Sequence, residues 1–339
     1  MAPYNPPTAG RAGLLRLDFN ENTLGCSPRV TALLREKLSE ESLSIYPEYE
    51  ATRAALSDYF QVPESRFLLT NGTDEAIQVL INTYVDDAQQ VIVLHPSYAM
   101  YRFYGEVAGA EVRELPYRRA DLAFPFEELL GAVTPSTRAI LLSNPNNPTG
   151  TGAAIGQLVA ILDRAPRAAV LVDEAYYEFC GVTALHQLDA YPNLFVSRTF
   201  SKAFGLAGLR AGCLFSQEQN VKFMRKAQSP YSVNVLAAIA ARAAVADPAY
   251  VNHYAAEAVK ARDLLYEGFK QRGIRYYPSQ ANFVLFEAGP RSIAIRDALR
   301  GRGVLVRDRS YEIPGTVRVT AGTPAQAQRF FNALDEVWP

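Results

Sequence analysis

The stretch "LFVSRTFSKAFGLAGLR" (residues 194–210) runs from an apolar segment into a turn bearing hydroxyls and a lysine, then through small residues to an arginine. Segments upstream repeat the form: "RFLL" leads into "TNGTDE", "VIVL" into "HPSYAMY", "AILL" into "SNPNNPTG" and "AVLV" into "DEAYYEF". Each polar segment is followed by a longer amphipathic stretch. Unbroken apolar runs are the mark of strands covered on both faces. The pattern between about residues 66 and 215 therefore predicts an α/β fold, a mostly parallel sheet with helices on both faces. Ligands of such sheets bind beyond the carboxyl ends of the strands, so the polar segments are candidates for one shared site.

The last third reads differently. A long helical pattern opens at Val251, followed by the strand-like "NFVLFE", a helix around Ser292 to Arg300, and the short runs "GVLVRD" and "GTVRVTAG". The final helix is announced by Thr323 as N-cap, Pro324 at its first position and Gln326 placed to complete a capping box. "IPG" at Ile313 to Gly315 reads as a turn between antiparallel strands. This is a smaller α/β domain appended to the first.

Composition narrows the chemistry. With 339 residues and 49% hydrophobic content the chain can bury a large core, and a formal net charge of −1 supplies no basic field for nucleic acid or membrane surfaces. Cys26, Cys180 and Cys213 have neither the parity nor the spacing of a disulfide framework or zinc site, which fits a reducing, cytoplasmic setting. The opening "MAPYNPPTAGRAG" has no apolar signal region, and no uncharged run approaches the roughly 18 residues of a membrane span. His95, His186 and His253 are scattered, so no metal is expected. The G-x-S-x-G, H-E-x-x-H and G-x-x-x-x-G-K-[ST] patterns are absent, and Gly205, Gly208 and Gly212 do not have dinucleotide-binding spacing.

If the polar segments converge, they bring together an amine (Lys202), a carboxylate (Asp173), hydroxyls (Ser201, Thr73, Tyr176), an amide (Asn147), an aromatic face (Tyr98) and a cation (Arg210). A cofactor that needs an amine, a carboxylate, an aromatic face and a phosphate cradle is pyridoxal phosphate. On this reading Lys202 bonds to its aldehyde and Asp173 keeps the pyridine nitrogen protonated. A helix starting near Thr73 or Asp74 offers free N–H groups to the phosphate, with help from Ser201 and Arg210. Asn147 and Tyr176 reach the ring oxygen, and Tyr98 stacks on the ring.

The motifs "SNPNNPTG", "LVDEAYYEF" and "RTFSKAFGLAGLR", in this order, resemble the fold-type I pyridoxal-phosphate-dependent aminotransferases of class I/II. The resemblance extends from "FNENTLGCSP" through "YPEYE" and "HPSYAMY" to "ANFVLF" and "VRVTAGT", and within the family it is nearest to the histidinol-phosphate aminotransferase branch. It implies a homodimer with shared active sites, Gly72 with the backbone of Thr73 and Asp74 around the phosphate, and Tyr46 donated by the partner subunit. It further implies that Arg307 and Arg318 hold the phosphate or carboxylate of the substrate, with Asn22 beside them. An N-terminal arm that also forms part of the small domain (1–45), a large cofactor-binding domain (46–245) and a C-terminal small domain (246–339) are the expected divisions. The expected reaction is L-histidinol phosphate plus 2-oxoglutarate to imidazole-acetol phosphate plus L-glutamate. Aromatic amino-acid transamination is the alternative, ahead of phosphothreonine decarboxylation or a non-catalytic regulator. Where many relatives carry "NENPYG", this chain has "NENTLG", so Thr23 and Leu24 stand where a tyrosine helps to enclose substrate phosphate.

Overall fold

The computed structural model describes residues 8–338. Its strands are β1 (Leu15–Arg16), β2 (Phe67–Thr70), β3 (Gln90–His95), β4 (Glu111–Pro116), β5 (Thr137–Ser143), β6 (Ala169–Asp173), β7 (Leu194–Thr199), β8 (Gly212–Phe215), β9 (Tyr276–Tyr277), β10 (Phe283–Glu287), β11 (Val304–Leu305), β12 (Arg307–Asp308) and β13 (Thr316–Thr320). A seven-stranded sheet has the order β2-β8-β7-β6-β5-β3-β4. Its pairings are parallel from β4 to β7, while β8 runs antiparallel to both neighbours.

Period-two geometry decides which side chains go where. Ile140, Leu142, Val170, Val172 and Val196 face one apolar layer, while Ala139, Leu141, Ala169, Leu171 and Phe195 face the other. The apolar runs read as doubly covered strands are therefore buried on both faces, as expected. Edge strand β4 escaped the sequence reading because "EVRELP" is half charged and mostly exposed, which also blunts the edge against pairing with another chain.

A second body is built on the four-stranded antiparallel sheet β12-β13-β10-β9 and the parallel pair β1–β11. Leu15 and Leu17 enter the same apolar cluster as Phe269, Phe286, Val319 and Phe330, so the N-terminal segment packs with the C-terminal residues. The helix Pro248–Gln271 connects the two bodies. Its Ala255 and Ala258 belong to the first core, and its Ala261, Leu265 and Phe269 to the second. The capping box read from "TPAQ" is present: Thr323 N–H donates to Gln326 Oε1 at 2.9 Å and Gln326 N–H to Thr323 Oγ1 at 3.4 Å. Arg307 and Arg318 are direct cross-strand partners in β12 and β13, with the loop containing "IPG" between those strands.

Candidate active site

The carboxyl ends of β2, β5, β6 and β7 converge on a cleft of about 230 Å³ lined by Thr73, Asp74, Tyr98, Asn147, Asp173, Tyr176, Ser201, Lys202 and Arg210. Segments more than a hundred residues apart in the chain meet here because each follows a strand of one sheet. Phe19, Glu21 and Arg11 complete the wall from the N-terminal segment.

Asp173 is the last residue of β6, 3% exposed, on the same side of the sheet as Ala169 and Leu171. Tyr101 donates to its Oδ2 and Ser197, its register partner on β7, to its Oδ1, both at 2.8 Å. No cation pairs with it among the described residues. Burial accordingly pushes its carboxyl up to about 6, with the bonds from Tyr101 and Ser197 opposing. Lys202 lies in the turn after β7, its Nζ donating to the Phe19 carbonyl at 2.9 Å. Burial, and then the nearby Arg318, lower its ammonium to about 8.

The helix after β2 is Gly72–Tyr84, starting slightly earlier than Thr73 or Asp74. Gly72 has φ +72°, and a Cβ there would stand 2.6 Å from Arg210 Nη2, so the close approach of that guanidinium requires glycine. Arg210 itself holds a left-handed φ of +59°. Its Nη2 donates to Asp74 Oδ2 at 2.8 Å and its Nη1 to Ser201 Oγ at 3.3 Å. The Tyr98 hydroxyl donates to Asp74 Oδ1 at 2.6 Å, leaving its ring on the cleft wall. The Thr73 hydroxyl is buried with no hydrogen-bond partner.

At the other end Tyr176, 3% exposed, accepts from Asn20 Nδ2 at 3.0 Å. Arg318 donates from Nη1 to Asn147 Oδ1, and from Nη2 to the Asp18 carbonyl at 2.6 Å. It is 4% exposed, and burial lowers its guanidinium to about 10, with Arg309 and Arg307 acting in the same direction. Among the described residues no carboxylate forms an ion pair with Arg318 or Arg307. The Arg307 guanidinium stands 5.3 Å from the Phe19 ring centre and lines an adjoining pocket with Arg296, Arg300 and Tyr311.

Of the expected site residues, Gly72 and Arg318 stand behind the lining of this cleft, in contact with Arg210 and Asn147, Arg307 lines the other pocket, and Asn22 and Tyr46 lie off the cleft altogether. Asn22 is buried, its amide donating to the Ala203 carbonyl at 2.8 Å and its Oδ1 accepting from the N–H groups of Leu24 and Gly25. Tyr46 is 73% exposed and stacks on Tyr231 at 4.2 Å. The sequence reading missed Tyr101, Ser197, Asn20 and the trio Arg11, Asp18 and Glu21. Arg11 Nη2 stands 2.7 Å from both Asp18 Oδ1 and Glu21 Oε2. Tyr101 and Ser197 carried a usable signal: Tyr101 follows Tyr98 by one helical turn, and Ser197 closes an apolar strand beside the one that ends in Asp173.

These residues fit pyridoxal phosphate. An unsatisfied hydroxyl at Thr73, the N-terminus of the helix Gly72–Tyr84, Ser201 and Arg210 form an anion cradle kept open by the missing Cβ of Gly72. A buried carboxylate without a cation and a lysine of lowered basicity share the cleft.

Residues 12–334 match the family model "Aminotransferase class I and II". A histidinol-phosphate aminotransferase of Symbiobacterium thermophilum is 39% identical over 331 residues, 96% of this chain and 91% of that protein. Two solved structures share the fold: a histidinol-phosphate aminotransferase of Sinorhizobium meliloti in complex with pyridoxal-5'-phosphate, and an L-threonine-O-3-phosphate decarboxylase of Porphyromonas gingivalis. The first has a TM-score of 0.85 at 23% identity, covering 95% of this chain and 90% of that one. The second has a TM-score of 0.80 at 24% identity, covering 96% and 99%. The chain belongs to the aminotransferase class I and II family and is a pyridoxal-phosphate-dependent transaminase.

Proposed function

We propose that the protein transfers the amino group of L-histidinol phosphate to 2-oxoglutarate, giving imidazole-acetol phosphate and L-glutamate. The observation that carries the substrate reading is Arg318. It is buried, lies against Asn147, is paired in register with Arg307, and has no carboxylate partner among the described residues. A buried guanidinium without an anion is costly, and an incoming phosphate or carboxylate removes that cost. One such site serves both halves of the reaction, since the donor brings a phosphate and the acceptor a carboxylate. The similarity to the Symbiobacterium enzyme supports the same donor.

Bound in the cleft, pyridoxal phosphate supplies the aldehyde that takes up the amino group and the ring that accepts electrons from the substrate carbon. Everything else falls to the chain. Lys202, its ammonium lowered to about 8, gives up its proton more readily than an ordinary lysine and moves the proton at the reacting carbon. Asp173 stays ionised in the presence of a cationic ring nitrogen, because the opposite charge reverses the effect of burial. Tyr101 and Ser197 hold its two oxygens in place. Thr73, Ser201, Arg210 and the N–H groups after Gly72 bind the cofactor phosphate, Tyr98 covers the ring, and Asn147 and Tyr176 serve its oxygen. Arg318 and Arg307 orient the substrate anion, and Asn22 shapes the pocket by holding the turn at Leu24 and Gly25 against Ala203.

The same reading takes in a homodimer in which Tyr46 reaches the partner's cofactor. Its exposed ring, beside exposed Leu43, Ile45 and Tyr231, supports this. It keeps the division into 1–45, 46–245 and 246–339 and a cytoplasmic location. The three cysteines are unpaired, and no helix among the described residues is long and apolar enough to cross a membrane.

The test is a single-turnover comparison of histidinol phosphate, phenylalanine, tyrosine and phosphothreonine, following conversion of the bound cofactor to its pyridoxamine form. Histidinol phosphate is expected to be fastest, and Arg307→Ala to raise its KM by about 10- to 100-fold through loss of a charge-assisted contact. Faster conversion by phenylalanine than by histidinol phosphate, release of carbon dioxide, or an unchanged KM in Arg307→Ala contradicts the substrate reading.

A further inference from the structure

Consecutive residues of the N-terminal segment each touch a functional side chain. The Asp18 carbonyl accepts from Arg318 at 2.6 Å, the Phe19 carbonyl from Lys202 at 2.9 Å, and the Asn20 amide donates to Tyr176 at 3.0 Å. The first two contacts are made by backbone that any residue supplies. The third depends on the side chain.

We propose that Asn20 is a positioning residue: by donating to the Tyr176 hydroxyl it commits that phenol to donate its own proton into the cleft, to the ring oxygen of bound pyridoxal phosphate. The inference rests on the cofactor reading above.

The orientation of the amide follows from Thr320, which is fully buried. The Thr320 hydroxyl oxygen accepts from the Asn20 backbone N–H at 3.1 Å, and its single proton goes to Asn20 Oδ1 at 3.2 Å. A flipped amide would leave that proton unspent inside the protein, which buried hydroxyls avoid. The NH₂ group is thereby fixed on Tyr176. The phenol then accepts at one side and, with no second hydrogen bond among the described residues, keeps its proton for the cleft that it lines.

Asn20 is itself held firmly. It is 1% exposed, its carbonyl accepts from Asn282 Nδ2 at 3.3 Å, and its backbone is left-handed with φ +57°. Asparagine tolerates that conformation better than most residues and can also donate. Burial raises the Tyr176 pKa, with Arg318 and the Asn20 bond opposing, so the phenol retains a proton to give at neutral pH.

A hydrogen bond donated to the ring oxygen withdraws the negative charge that otherwise holds a proton on the neighbouring nitrogen of the Lys202 linkage. Losing it should raise the pH at which the visible band of the holoenzyme titrates. Asn20→Gly keeps the left-handed backbone free of strain, and Thr320→Val keeps the shape while removing the hydroxyl that orients the amide. In the holoenzyme Asn20→Gly is expected to raise the midpoint by about one pH unit, and Thr320→Val by less. In a Tyr176→Phe background, itself shifted upward, neither change should move the midpoint further. A merely structural role predicts no such dependence on the phenol. Wild-type midpoints in these variants, or shifts that persist without the hydroxyl, overturn the proposal. If Asn20→Gly fails to fold, Thr320→Val alone and in the Tyr176→Phe background decides. A wild-type protein with no titrating band overturns the cofactor reading and this inference with it.

Discussion

Asp173 and Glu174 are adjacent and both buried, yet one faces the cleft with no cation paired to it among the described residues while the other is paired inside the fold. Glu174 meets Arg198 at 2.7 Å, with side chains 0% and 4% exposed, and also accepts from Thr183 and the Ala184 N–H. Arg198 lies 3.5 Å from the Tyr177 ring centre and 3.8 Å from Glu178. The difference begins where β6 ends: Asp173, its last residue, meets Ser197 on β7, while Glu174, the next residue, meets Arg198, whose side chain leaves β7 on the opposite face. On one face the fold supplies its own counter-ion. On the other it leaves a carboxylate without a counter-ion, and Arg318 behind Asn147 likewise has no carboxylate partner among the described residues; on the proposed function, both are completed by molecules that arrive later. Charges completed by the fold hold it together, and charges left incomplete bind.

The largest effect expected is on chemistry. Lys202→Ala should lower turnover by more than about 10³-fold, since it removes the group that moves the proton, with little change in melting temperature. Wild-type turnover would remove Lys202 from the mechanism.

The two buried acids should then separate stability from activity. Arg198→Met strands Glu174 and Glu178 and should cost about 3–5 kcal/mol of unfolding free energy, read by denaturant titration of cofactor-free protein. Asp173→Asn should cost no stability at pH 8, and gain up to about 2 kcal/mol, while reducing transamination by orders of magnitude. Equal destabilisation by both changes would break the comparison.

Acidity supplies a third contrast. Because the folded-state value of Asp173, about 6, lies above that of an unfolded aspartate, the folded protein holds the extra proton. Its contribution to the stability of the cofactor-free protein should fall as pH rises from about 4 to about 6, and Asp173→Asn should abolish that slope. For Lys202, lowered to about 8, the unfolded chain binds the extra proton, so its contribution should increase between pH 8 and the ordinary lysine range. Amine acylation of the cofactor-free protein should show half-ionisation of Lys202 near pH 8.

The smallest effect is on the hydroxyls that support Asp173. Tyr101→Phe should raise its pKa by about one unit through loss of one hydrogen bond, measurable as a displaced stability–pH curve. No displacement would mean that the Tyr101 hydroxyl does not sustain the carboxylate.

Much of this organisation was legible before the fold was known. The apolar runs ahead of "TNGTDE", "SNPNNPTG", "DEAYYEF" and "RTFSK" announced buried strands, and the polar residues after them do meet in one cleft. Strand β4 stayed hidden because an exposed edge needs no apolar run. Asn20, Asp18 and Glu21 stayed hidden because the N-terminal segment reaches the cleft only through long-range packing, with Leu15 and Leu17 in the core of the C-terminal body. Arg307 was expected on the ligand beside Arg318. Register does pair the two, but Phe19 stands next to Arg307, and side-chain direction at this ring could not be read from spacing.

The most direct test is to load the cofactor-free protein with pyridoxal phosphate, reduce it with borohydride, and locate the label by peptide mass mapping. The expected result is a yellow holoenzyme with one stable label per chain, on Lys202, whose formation Lys202→Ala abolishes. A label on any other lysine, or none at all, would contradict it.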